Sequence, residues 1–132
     1  MVKINGQEVE WKSFPEGWYL TDVQYHVLWK NEDTGAMFIL IKIPVGGIHE
    51  LYHTHPKADQ MIFGLSGSMI RDGTTVTVGE GSYFLQYSAK GTPHGPQRES
   101  TRETTKECIA LQYFDGPPTK INEGEAIELT LE

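Results

Sequence analysis

The block Gly47-Ile48-His49-Glu50-Leu51-Tyr52-His53-Thr54-His55-Pro56 concentrates three of the chain's five histidines. On a strand, residues i and i+2 face the same side. His53 and His55 therefore point together, and His49 joins them if the strand reaches back unbroken. Two imidazoles on one face, met by a third from elsewhere, are what a divalent transition metal requires. A candidate third lies downstream in Gly91-Thr92-Pro93-His94-Gly95-Pro96, a turn following the stretch Gly81-Ser82-Tyr83-Phe84-Leu85. His26 has no such partner and reads as structural.

The elements that must position these residues read as short strands. Asn5-Gly6 between two alternating triplets is a hairpin signal. Tyr25–Lys30 reads as a strand closed by the turn at 31–35, and Met37–Ile43 as a nearly continuous apolar strand ended by Pro44 and Gly46-Gly47. Strands follow at 51–55, 60–65 and 68–71, then Asp72-Gly73 turns the chain into 74–78. Further strands cover 82–87 and 107–114. Asp115-Gly116-Pro117-Pro118 ends the sheet, and 127–131 forms a last short strand. The polar segment 97–106 reads as an exposed loop or strand extension. Eight or more short strands with frequent turn signals predict an all-β sandwich or barrel.

Composition agrees. Val, Ile and Thr number 29 of the 132 residues against 14 Ala and Leu, and 14 Gly and 7 Pro add turns. Leu, Ile, Val and Phe total 31, enough for a single lean core that oligomerisation would help to cover. No apolar run approaches a membrane span, and the N-terminal residues lack the apolar stretch of a secretory signal. One cysteine, Cys108, rules out an intramolecular disulfide framework and suits a reducing, cytoplasmic setting. A net charge of −7 without a basic stripe disfavours nucleic acid.

Two spacings carry a family resemblance. Gly47, His53, His55, Gln60 and Gly67 keep every interval of the first motif of the small single-domain cupins, with Gln60 where that motif has Glu. Gly81, Tyr87, Gly91 and His94 are similar to the second motif, with Tyr87 at its proline position and two extra residues before Gly91. The resemblance spans about 36–114. It implies a double-stranded β-helix (jelly-roll) barrel forming one domain over 1–132, with an N-terminal arm at 1–30, a C-terminal strand at 121–132 and a homodimeric assembly. It further implies a metal held by His53, His55, Gln60 and His94. An amide in place of a carboxylate leaves an M²⁺ site at +2 rather than +1. That makes the metal a stronger Lewis acid, favours an anionic ligand and counts against redox chemistry needing a higher oxidation state. Imidazole and amide donors suit Zn or Ni first, with Fe(II) or Co as alternatives.

The implied function is that of a metal-dependent enzyme polarising a carbonyl or enolate of a small, anionic compound, of isomerase, lyase or cyclase type. An Fe(II)-dependent dioxygenase of a diketone or phenolic compound and a non-catalytic small-molecule binder are the alternatives. His49, Tyr83 and Tyr87 are the candidate catalytic groups. Tyr83, Leu85 and Tyr87 share one strand face, so both rings line the cavity or both face away. The same ambiguity holds for Cys108, Ala110 and Gln112 against Ile109, Leu111 and Tyr113. Cys108 lacks a basic neighbour and is not expected to be a nucleophile.

Overall fold

A computed structural model describes residues 9–71, 73–79, 84–96, 102–123 and 128–131. The hairpin expected at Asn5-Gly6, Asp72, Tyr83 and 97–101 lie outside them. The described residues form ten strands and no helix. These are β1 (Lys12–Ser13), β2 (Gln24–Lys30), β3 (Met37–Ile43), β4 (His53–Thr54), β5 (Gln60–Arg71), β6 (Thr74–Val78), β7 (Phe84–Ser88), β8 (Arg102–Phe114), β9 (Thr119–Asn122) and β10 (Glu128–Thr130).

All pairings are antiparallel. The larger sheet runs β1-β2-β3-β8-β5-β6, and β7 pairs with the first half of β5. The smaller sheet runs β10-β9-β4. The architecture is the expected all-β jelly roll. Two of its details differ from the sequence reading. The segments 60–65 and 68–71 are one strand, because β5 passes through Gly67 by way of bulges instead of turning there. The sheet also does not end at Pro118: β9 follows and pairs with β4.

Gly67 has φ of +114°, and a Cβ there would stand 2.6 Å from the Cys108 Cα. Only glycine meets both demands, so at the last glycine of the first motif β8 leaves no room for a side chain on β5.

Alternation on β3 buries Met37, Ile39 and Ile41, which pack with Trp18, Tyr25, Ala110, Phe114 and Leu131 in the core. The partner positions Phe38 and Leu40 face outward opposite Tyr113 and Leu111. The inward face of β3, β5 and β8 also walls a pocket, whose lining includes Ile41, Ile62, Val78, Phe84 and Gln112. On β8, Cys108, Ala110 and Gln112 look into the pocket and Leu111 and Tyr113 look out, while Ile109, opposite the bulged stretch of β5, lines the pocket as well.

Candidate metal centre

His53 opens β4, and His55 follows it by two residues on the same side. His94 arrives on a separate loop and is locked to His53 by a pair of backbone hydrogen bonds, His53 N–H to the His94 carbonyl (2.9 Å) and His94 N–H to the His53 carbonyl (2.8 Å). Gly95, at φ of +106°, lets that loop pass close to the His53 ring. The three imidazoles thus converge: one nitrogen of each lies within 4.8 Å of the others.

Their tautomers are set by the backbone. His53 Nδ1 meets the Leu51 carbonyl at 2.6 Å, His55 Nδ1 the Thr119 carbonyl at 3.1 Å, and His94 Nδ1 the Thr92 carbonyl at 2.9 Å. A carbonyl can only accept, so each Nδ1 carries the proton and each Nε2 presents a lone pair. The Nε2 atoms of His55 and His94 are buried without a hydrogen-bond partner. Gln60 is 96 % buried, and its Oε1 also lacks a partner. It shares the strand face of Ile62 and Gly64, both on the pocket wall. Buried polar atoms are rarely left unpaired without a reason. Three uncharged imidazole nitrogens, already oriented, fit a divalent transition metal and not Ca²⁺ or Mg²⁺.

Electrostatics favour the neutral ligand form. Burial lowers the His53 pKa to about 4, with the nearby Glu50 carboxylate opposing the shift. Burial and the two neighbouring imidazoles lower His55 to about 3.

Below the imidazoles lies a charge pair that the sequence reading did not single out. Lys120 Nζ, fully buried, donates to Glu50 Oε2 at 3.2 Å and to the Trp18 carbonyl. Glu50 Oε2 is also 3.8 Å from His53 Nδ1. Burial works against ionisation of Glu50, but Lys120 and then His53 outweigh it and bring its pKa to about 2. The two partners are 70 residues apart on unrelated segments, so no local pattern announces them. The Lys120 ammonium also sits 4.6 Å from the Tyr19 ring, and the Tyr19 hydroxyl accepts from Gln112 Nε2 at 3.5 Å. Burial, and next the Glu50 charge, raise the Tyr19 pKa and keep the phenol protonated.

The other predicted residues take different places. His49 lines the pocket but is outside the imidazole cluster. Its Nδ1 lies 2.5 Å from Thr21 Oγ1 and its Nε2 3.1 Å from Thr104 Oγ1, and burial lowers its pKa. Tyr87 corrects the expectation of a pocket acid: it is 59 % exposed, and its hydroxyl donates to Asp59 Oδ2 at 3.1 Å. Alternation explains this, since Phe84 and Gln86 take the pocket side of β7 and leave Leu85 and Tyr87 outside. Tyr83 lies outside the described residues. Cys108 donates its thiol hydrogen to the Lys106 carbonyl, and burial raises its pKa, so it is a structural thiol.

Solved structures similar in fold include proteins described as RmlC-like cupins. An acetylacetone dioxygenase from Acinetobacter johnsonii aligns over 98 % of this chain and 84 % of its own, with a TM-score of 0.66 at 21 % identity. The polyketide cyclase RemF from Streptomyces resistomycificus aligns over 96 % and 89 %, with a TM-score of 0.64 at 20 % identity. An RmlC-like cupin protein from Ralstonia eutropha aligns over 98 % and 78 %, with a TM-score of 0.64 at 15 % identity. At these identities the likeness is one of fold. No family model and no curated protein matches the sequence.

Proposed function

We propose that this protein is a small-molecule enzyme that uses a divalent transition metal, Zn or Ni first, held by His53, His55, His94 and Gln60. Its substrate is an anionic compound bearing a carbonyl or enolate, and its reaction is an isomerisation, elimination or cyclisation. The observation that carries this reading is the uncharged donor set, three imidazoles with their Nδ1 protons fixed and an amide oxygen with no other partner. A metal bound there supplies a Lewis acid for negative charge developing on a substrate oxygen.

The chain's own groups divide the remaining work. Tyr19 keeps its proton and offers a hydroxyl to an oxygen of the substrate. His49, on the pocket wall and with its pKa lowered by burial, serves in this reading as the base, taking the substrate proton at the ring nitrogen that otherwise accepts from a threonine hydroxyl. Glu50 and Lys120 hold a fixed dipole beneath the imidazoles. The apolar walls limit water around the reacting atoms.

A second reading, an Fe(II)-dependent dioxygenase of a diketone or phenolic compound, is favoured by the end-to-end fold likeness to the acetylacetone dioxygenase. Oxygen uptake separates the two. Protein reconstituted in parallel with Zn, Ni and Fe(II) is offered a panel of diketones and of unsaturated oxo acids. Product formation without oxygen uptake supports the Lewis-acid reading, and Fe(II)-specific oxygen consumption supports the second. A compound that raises the melting temperature but returns unchanged would reduce the protein to a binder.

A further inference from the structure

Gln112 is the polar member of an otherwise apolar row. It stands on β8 directly opposite Ile39 of β3 on one side and Ile62 of β5 on the other. Directly opposed residues share a face, and Gln112 and Ile62 both line the pocket. Gln60 lies two residues before Ile62 on β5, so this row is about 7 Å along the sheet from it. Gln112 is only 3 % exposed. Its amide makes one long hydrogen bond, from Nε2 to the Tyr19 hydroxyl at 3.5 Å, and its Oε1 has no partner among the described residues. The Tyr19 oxygen accepts that bond, and among the described residues no acceptor takes its hydrogen. The Tyr19 ring is held by Phe14, edge-on at 4.8 Å, and by the Lys120 ammonium 4.6 Å from its centre. Tyr19 is on the pocket wall with Gln112, and Ile41, Ile62 and Ala110 line the same pocket.

The pair thus offers one acceptor, Gln112 Oε1, and one donor, the Tyr19 O–H, side by side. A buried amide oxygen without a partner destabilises a fold, so an amide kept between isoleucines points to a partner that comes from the pocket. A carbonyl or carboxylate oxygen can accept from Tyr19 but would set its lone pairs against Gln112 Oε1. A hydroxyl satisfies both, accepting from Tyr19 and donating to Oε1. We propose that Gln112 and Tyr19 recognise a hydroxyl group, so that the substrate is a hydroxylated carbonyl compound and Gln112 is the residue that selects it. The carbonyl half of that class rests on the Lewis-acid reading, whereas the hydroxyl contact uses no metal donor. A compound lacking the hydroxyl is rejected because the buried amide then stays unpaired.

The test uses phenol and fluorobenzene, which are close in size and shape, while fluorine cannot donate a hydrogen bond. Calorimetric titration of the full chain after EDTA treatment should show phenol binding about tenfold or more tightly than fluorobenzene. Gln112→Leu removes the acceptor and should bring the two probes within about threefold of each other, by weakening phenol. Tyr19→Phe removes the donor and should weaken phenol by about threefold or more, leaving fluorobenzene unchanged. The melting temperature of Gln112→Leu without probe should hold or rise, because an unpaired buried amide is lost. Absence of phenol binding, a preference below tenfold in the wild type, or a preference unchanged in Gln112→Leu overturns the site. A fall in the melting temperature of Gln112→Leu would show that the amide holds the sheet together and count against it. A parallel Zn²⁺ titration keeps the two readings apart. Zn²⁺ binding without a phenol preference overturns the hydroxyl site alone, and a phenol preference without Zn²⁺ binding supports that site and overturns the metal reading.

Discussion

With Gln60 as the fourth donor, as proposed, its neutral amide sets the charge of the imidazole centre. Replacing Gln60 with Glu adds a negative charge among the donors. Gln60→Glu should therefore bind a divalent metal more tightly than wild type and a simple carboxylate more weakly, by about 1–3 kcal/mol for a close charge in a partly desolvated site. Parallel titrations of both proteins with Zn²⁺ and then acetate read this directly. Equal affinities would remove position 60 from the donor set. His94→Ala should lose the metal, because two imidazoles and an amide leave the centre open. The histidines also give the metal-free protein a pH dependence. Folded His53 and His55 titrate near 4 and 3 against about 6.5 when unfolded. Between those values the unfolded chain binds more protons. Stability is thus full above about pH 6.5 and falls as the pH drops towards 4. Glu50, at about 2 against 4.5, extends the loss below pH 4.5. Urea unfolding at pH 7.5, 5.5 and 4.5 checks the sign, and a protein that gains stability on acidification would contradict it.

Among the elements, β9 does the most for the site. It pairs with β4, its Thr119 carbonyl fixes the His55 ring, and its Lys120 balances Glu50. Lys120→Met would strand a carboxylate beside the imidazoles, and breaking a buried pair from one side costs about 3–5 kcal/mol. The double change Lys120→Met with Glu50→Gln should recover a large part of that loss. A double-mutant cycle by urea unfolding measures the coupling, and additive single losses would show that the pair does not act as a unit. The strands themselves were unevenly legible. Apolar continuity and the turns at either end gave β3 and β6 their full lengths. By contrast β9 follows two prolines with only four residues, Thr-Lys-Ile-Asn, and no alternation that marks a strand. Its Lys120 reads as a surface residue until its partners are known.

For the whole molecule, the outer face of the larger sheet is the unfinished feature. Phe38, Met61, Phe63, Leu85, Leu111 and Tyr113 form a continuous apolar surface there, with Met61 42 % and Leu85 61 % exposed. Contiguous apolar surface on a small domain marks an interaction site. The homodimer expected from the lean core would cover it with a second copy. Light scattering at micromolar concentration should give about twice the 14.9 kDa chain mass, and Met61→Glu should return it to one. A monomeric wild type would contradict this. Among the described residues no helix is long and apolar enough to cross a membrane.

The all-β class, the pairing of His53 with His55 and the candidacy of His94 were legible from the chain alone, because strand alternation and turn chemistry are local properties. The motif spacing added Gln60. Which face of each strand looks inward emerged with the packing of the two sheets. That packing placed Tyr87 outside and Gln112 inside, and joined Glu50 to Lys120. The reason is physical. Alternation fixes which residues share a face within one strand, but not which face is buried. It also gives no register between distant strands, and each bulge in β5 resets the parity that alternation would have carried forward.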